Sequence, residues 1–220
     1  MPRVVEAYIG EYASGKSENA INRALELAGG ELEVTLVDLD TVEPFYTLRP
    51  IKEQLEAMNI AVVGWSRSDV YGLGEAGSTM MPAARWVLMR PGHIIMDIGY
   101  GVQGARTLNL VEGANESSEL RVLVVINTTR PMTTEVPDII EYIRSLGRVD
   151  AIVNNTHLSD ETTPELVATG LKKLKEVEAQ LGLPIAFTVM DDRLREQITS
   201  PIWEGESIKF IKRYMPAAMW

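Results

Sequence analysis

Close to the amino terminus, Gly10, Gly15, Lys16 and Ser17 of GEYASGKSE satisfy the spacing G-x-x-x-x-G-K-[ST]. Glycines at these two positions let backbone N–H groups turn inward around phosphate oxygens, and a helix opening at Lys16 adds a favourable partial positive charge. In that arrangement Lys16 reaches the β- and γ-phosphates and the Ser17 hydroxyl binds magnesium. The expected nucleotide-binding set is Gly10, Glu11, Tyr12, Ala13, Ser14, Gly15, Lys16, Ser17 and Glu18. The competing reading is an ordinary glycine- and serine-rich turn between a strand and a helix.

Three further strings end apolar runs in polar residues. HIIMDIGYG closes on Asp97, the carboxylate expected to hold magnesium directly or through water. Gly99, Gly101 and Gly104 then form a loop able to move against a γ-phosphate, with Gln103 either positioning water or simply solvated. VTLVDLD places Asp38 and Asp40 on one side of a strand end, because alternate residues share a face. The catalytic candidates are thus Lys16, Asp40 and Asp97, and the metal candidates Ser17, Asp40 and Asp97; a cap or turn is the alternative role for Asp38. AIVNNTH ends in Asn154 and Asn155. An asparagine amide suits the N6 and N7 edge of adenine, whereas a turn held by asparagine-to-backbone bonds competes. His157 reads as a hydrogen-bonded loop residue rather than a general base.

These residues must be positioned by elements, and short β-branched runs alternating with helical patterns predict βαβ units. Strands are expected near 3–9, 33–38, 60–65, 93–97, 121–127, 151–154 and 184–189. Helices are expected at 16–28, 79–89, 136–146 and 164–181, with Gly29, Gly30, Gly147 and Gly182 at their ends. The fold class that follows is α/β: a three-layer, doubly wound, mostly parallel sheet of seven strands in a single domain spanning residues 1–220. Segments 41–50 and 66–78 look irregular and follow strand ends, where such sheets place ligands.

Composition narrows the function. Hydrophobic residues make up 45% and charged residues 24% of 220, as in an ordinary globular protein. The absence of cysteine excludes thiolate metal sites and cysteine nucleophiles, and two histidines make a histidine-rich metal site unexpected. A formal net charge of -10 opposes binding to phosphate backbones, so nucleic acid is not an expected partner. No run of about 18 apolar residues exists, and MPRVVEAYIG enters a strand-like run without a secretory pattern, so a cytoplasmic location is expected.

The order of phosphate loop, VTLVDLD, IIMDIGYGVQGA and VNNT resembles the MinD/ParA-type branch of P-loop NTPases, which includes the CooC-type nickel-insertion ATPases and is akin to dethiobiotin synthetase. The resemblance spans roughly residues 3–192. It implies ATP or ADP with magnesium and nucleotide-dependent switching in the loops after Asp38 and Asp97. By position it assigns Asp40 to switch I, Gly101 to switch II and Asn154 to the base, with main-chain groups of Met190 to Arg193, Asp191 among them, flanking the base. Family members form a homodimer in which a signature lysine of the loop crosses to the partner's phosphates. Glu11 stands at that position, and a carboxylate there repels a triphosphate. Arg67, Arg106 and Arg130, near strand-end loops, are the candidate replacements.

The lack of cysteine also removes the metal site of the nickel carriers. The carboxyl-terminal ESIKFIKRYMPAAMW reads as a short amphipathic helix packed on the domain or a partner, with membrane association not expected. The functional expectation is a slow ATPase that switches a protein partner. The alternatives are a ligase or phosphotransferase like dethiobiotin synthetase, with Tyr46, Arg49 and Arg67 around a small substrate, and a nucleotide-binding scaffold without hydrolysis.

Overall fold

The structure is a computed structural model that describes residues 2–41, 48–65, 79–198, 200 and 202–215. Its centre is a sheet whose strands are β1 (Val5–Gly10), β2 (Val34–Leu39), β3 (Ile60–Val63), β4 (His93–Ile98), β5 (Leu120–Ile126), β6 (Ala151–Asn154), β7 (Ile185–Asp191), β8 (Ile202–Trp203) and β9 (Glu206–Ile211). They lie in the order β3-β2-β4-β1-β5-β6-β7-β9-β8. Every pairing is parallel except that of β8 with β9. The central strands are mostly apolar and, apart from Arg121, buried, which is why their sequences run largely hydrophobic instead of alternating.

Helices cover both faces. Helices α1 (Lys16–Ala28) and α2 (Lys52–Glu56) bury Ala20, Ile21, Ala24, Leu27 and Leu55 against Tyr8, Leu36, Ile95 and Leu123. On the other face, α3 (Gly101–Arg106), α4 (Val136–Ser145) and α5 (Pro164–Leu181) bring Ala105, Ile139, Ile143, Leu171 and Leu174 onto Ala7, Ile9, Val124 and Ile152. Helix α5 starts at Thr163, whose hydroxyl caps Leu166 N–H, and stops at Gly182, where φ is 67°. Among the described residues no helix is long and apolar enough to cross a membrane.

Two expectations about elements are corrected. The run 79–89 is a 3₁₀ segment, Pro82–Met89, kinked at Trp86, where the backbone leaves helical φ/ψ. The carboxyl-terminal segment is a strand. Glu204 and Gly205 both adopt positive φ, 53° and 85°, forming the tight turn that folds β8 back on β9. Ile208 and Phe210 then pack on one side of the sheet, with Lys209 between them, and β9 pairs with the otherwise bare edge of β7. Among the described residues the sheet therefore has nine strands, seven of them those expected.

After β9 the chain crosses back to α1. The buried Glu18 carboxylate accepts hydrogen bonds from the N–H groups of Tyr214 and Met215 at 2.8 to 3.0 Å. Asn22 exchanges bonds with the Lys212 backbone.

Candidate functional site

The loop Gly10–Ser17 joins β1 to α1 at the carboxyl end of the sheet, where β1 is flanked by β4 and β5. Its glycines are fixed by close approach. A Cβ on Gly10 would lie 2.5 Å from the Val125 carbonyl oxygen. One on Gly15, whose φ is 94°, would lie 2.1 Å from Asn155 Nδ2. Gly15→Ala is therefore expected to cost about 2–4 kcal/mol in chemical unfolding and to spring the loop from Asn155.

Inside the loop, Lys16 is buried and its Nζ donates to the Glu11 carbonyl at 3.1 Å. Burial pushes its pKa down, while Asp97, Asp40 and Glu11 pull it up, so those three carboxylates converge on one ammonium. The Glu11 carboxylate folds back to accept the Tyr12 N–H at 2.9 Å. Tyr12 is exposed and meets Tyr100 edge to face, ring centres 5.5 Å apart. The Ser14 hydroxyl is buried without a hydrogen-bond partner.

Asp97 is the electrostatic centre. It ends β4 directly beside Tyr8 of β1 and Asp38 of β2. Both its oxygens are buried and neither accepts a well-formed hydrogen bond. Burial is the main cause that pushes its pKa up to about 8; Lys16 and the Ser17 hydroxyl oppose this, and Asp38 and Asp40 reinforce it. A carboxylate in that setting is protonated at neutral pH and ionises when a cation arrives. The donors present fit magnesium, which takes one or two carboxylates and a hydroxyl and completes its shell with phosphate and water. Among the described residues no group of three or more His, Asp or Glu side chains is placed to hold a metal ion by itself.

The remaining candidates fall into two groups. Asp40 lies near enough to act on both Lys16 and Asp97, and its N–H is held by Asp38 Oδ1 at 3.1 Å. Asp38 thus forms the turn, the competing role considered for it. Gln103 and Arg106 are exposed on α3.

Asn154 is turned inward: its amide donates to Val167 O and Thr188 Oγ1, and its oxygen accepts from Thr156. Its neighbour Asn155 is the one that touches the loop, donating to Ser14 O at 2.6 Å. The Glu18 side chain faces the carboxyl-terminal segment, away from the loop. Tyr46 and Arg67, like segments 42–47 and 66–78, lie outside the described residues.

Asp191, at the end of β7, faces a cavity of about 690 Å³ walled also by Ser159, Asp160, Arg193 and Arg213. Its Oδ1 accepts from Arg193 N at 3.0 Å, and its Oδ2 lies 3.6 Å from His157 Nε2 and 3.5 Å from Arg213 Nε. The surrounding donors hold its pKa below the usual carboxylate value despite desolvation.

Solved structures of similar fold include those of FtsY proteins. The signal recognition particle receptor FtsY of Elizabethkingia anophelis, in complex with GDP, superposes with a TM-score of 0.55 at 16% identity over 86% of this chain and 57% of its own. FtsY of Thermotoga maritima gives 0.53 at 16% identity, over 87% and 63%. FtsY of Mycoplasma mycoides gives 0.52 at 15%, over 85% and 60%.

The fold is that of the P-loop NTPases.

The chain spans roughly three-fifths of the length of those FtsY structures. No family profile matches the sequence, and no curated protein matches it in sequence. Within the P-loop fold, the stretch Gly10–Ser17 stands at the strand-to-helix turn after β1, and Asp97 at the end of the adjacent β4.

Proposed function

We propose that the chain is a single nucleotide-binding domain that takes a magnesium–nucleoside triphosphate at Gly10–Ser17 and serves as a slow, nucleotide-dependent switch for a protein partner. The observation that carries this reading is Asp97, a buried carboxylate without a well-formed hydrogen bond, beside Lys16 at the mouth of the phosphate loop. Such a group is costly in an empty fold and becomes favourable only when a cation completes it.

With a magnesium nucleotide bound, Lys16 Nζ would exchange the Glu11 carbonyl for phosphate oxygens, and Ser17 and Asp97, with Asp40 nearby, would hold the metal. Magnesium, when bound, polarises the phosphoryl oxygens as a Lewis acid. Gly101, at φ 68°, supplies the backbone freedom for α3 to shift against the terminal phosphate. Tyr12 and Tyr100 carry that shift to the surface, where a partner can read it.

ATP is the nucleotide implied by the resemblance to the MinD/ParA-type branch. GTP is the second reading, and a specific observation favours it. A carboxylate accepts the paired N1 and N2 donors of guanine, Asp191 presents one to the cavity beyond β7, and one FtsY neighbour is a GDP complex. Calorimetric titration with Mg-ATP and Mg-GTP tests both. Micromolar binding of ATP is expected (about −8 kcal/mol); tighter binding of GTP reverses the choice of base, and binding of neither overturns the reading.

A further inference from the structure

Glu11 leaves the phosphate site short of positive charge. Asp40, Asp97 and Glu11 all act on Lys16, and a triphosphate adds several more negative charges to the same few ångströms. Of the three arginines that could compensate, Arg106 is exposed in the last turn of α3 and Arg67 lies outside the described residues. Arg130 reaches the loop. Its Nε donates to the Ala13 carbonyl at 3.1 Å, bridging 117 positions of sequence from the end of β5 to the phosphate loop.

The backbone that delivers it is held firmly. Arg130 N–H donates to Asn127 O at 3.1 Å, and Arg130 O accepts from Thr133 N at 2.9 Å and Thr134 Oγ1 at 2.8 Å. Asn127 Oδ1 in turn accepts from Thr129 N and His157 N, tying this turn to the loop after β6. The guanidinium is therefore presented by a preorganised turn, half-buried against the rim of the loop, with Ala13 at φ 53° beneath it. A guanidinium has five donors in a planar fork, so the bond to Ala13 through Nε leaves its outer edge suited to phosphate oxygens.

We propose that Arg130 is the second phosphate-binding cation of this site, acting within its own chain on the terminal phosphate and replacing the lysine that position 11 lacks. This rests on the nucleotide reading above. It makes the site electrostatically complete in one copy of the chain, without a charge donated by a partner.

The test compares wild type, Arg130→Ala and Arg130→Lys by calorimetry with magnesium and nonhydrolysable ATP or GTP analogues, and with the matching diphosphates. Circular dichroism and melting temperature establish that each variant is folded. Arg130→Ala is expected to weaken triphosphate binding about tenfold or more while changing diphosphate binding much less, and Arg130→Lys to recover part of the loss. Unchanged triphosphate affinity overturns the proposal. So does an equal loss for both nucleotides, which would make Arg130 only a prop for Ala13. A wild type that binds no nucleotide overturns the nucleotide reading and this inference with it.

Discussion

Asp97→Asn is expected to stabilise the empty protein as pH rises while abolishing the metal-dependent part of nucleotide binding. The sign follows from linkage. The folded-state pKa of Asp97, about 8, stands above the ordinary value of 3.8, so the folded protein keeps a proton that the unfolded chain has lost throughout that window. Wild-type stability therefore falls as pH rises from about 4 to about 8 and levels off beyond. Asparagine has nothing to titrate, so the variant gains on wild type across that window, by a few kcal/mol in order of magnitude. Urea unfolding at pH 5 and pH 8.5 measures the difference; equal gaps at the two pH values would contradict the assignment. In calorimetry the same variant should lose about ten- to a hundredfold in affinity with magnesium present and little in its absence.

Lys16→Ala has the opposite balance of effects. It removes the one cation inside the loop and the brace between Nζ and the Glu11 carbonyl. Charge-assisted contacts to phosphate are each worth about 1.5–3 kcal/mol, so triphosphate affinity should fall about a hundredfold or more. The stability of the empty fold should change little, because a desolvated lysine is itself unfavourable. Full retention of Mg-nucleotide binding by Lys16→Ala would remove the phosphate loop from consideration.

The shape of the Gly10–Ser17 loop was legible because its requirements are local. Two glycines, a lysine and a hydroxyl at fixed spacing between an apolar run and a helical pattern describe a backbone shape, and Gly10 and Gly15 occupy positions where a Cβ has no room. The parallel sheet was legible for a related reason, since strands buried on both faces read as continuous apolar runs. What escaped depended on single-residue alternation or on distance.

Asn154 and Asn155 are adjacent, and which of them faces the loop is decided by where β6 ends and its pleat breaks; residue type is identical. ESIKFIK satisfies a helical stripe and a strand alternation alike, and the tight turn at Glu204 and Gly205 together with the open edge of β7 selects the strand. Arg130 stood among three candidates because its contact with Ala13 joins segments 117 positions apart. Glu18 appeared to belong to the phosphate loop by its place in the motif, yet a helix turns the side chain after Ser17 away, toward Tyr214 and Met215.

The edge-to-face contact of Tyr12 with Tyr100 has a thermodynamic side. Tyr100 is the residue from which α3 departs, and Tyr12 belongs to the Gly10–Ser17 loop, so the pair bridges the two segments that the proposed switching would move relative to one another. An aromatic pair of this kind is worth about 1 kcal/mol, which corresponds to roughly a fivefold bias between two arrangements. A bias of that size sets a resting population without locking it. In the proposed switch the contact would work as a threshold: a fivefold bias leaves the released arrangement in about one molecule in six, and a ligand or partner needs only a modest differential affinity to make it dominant.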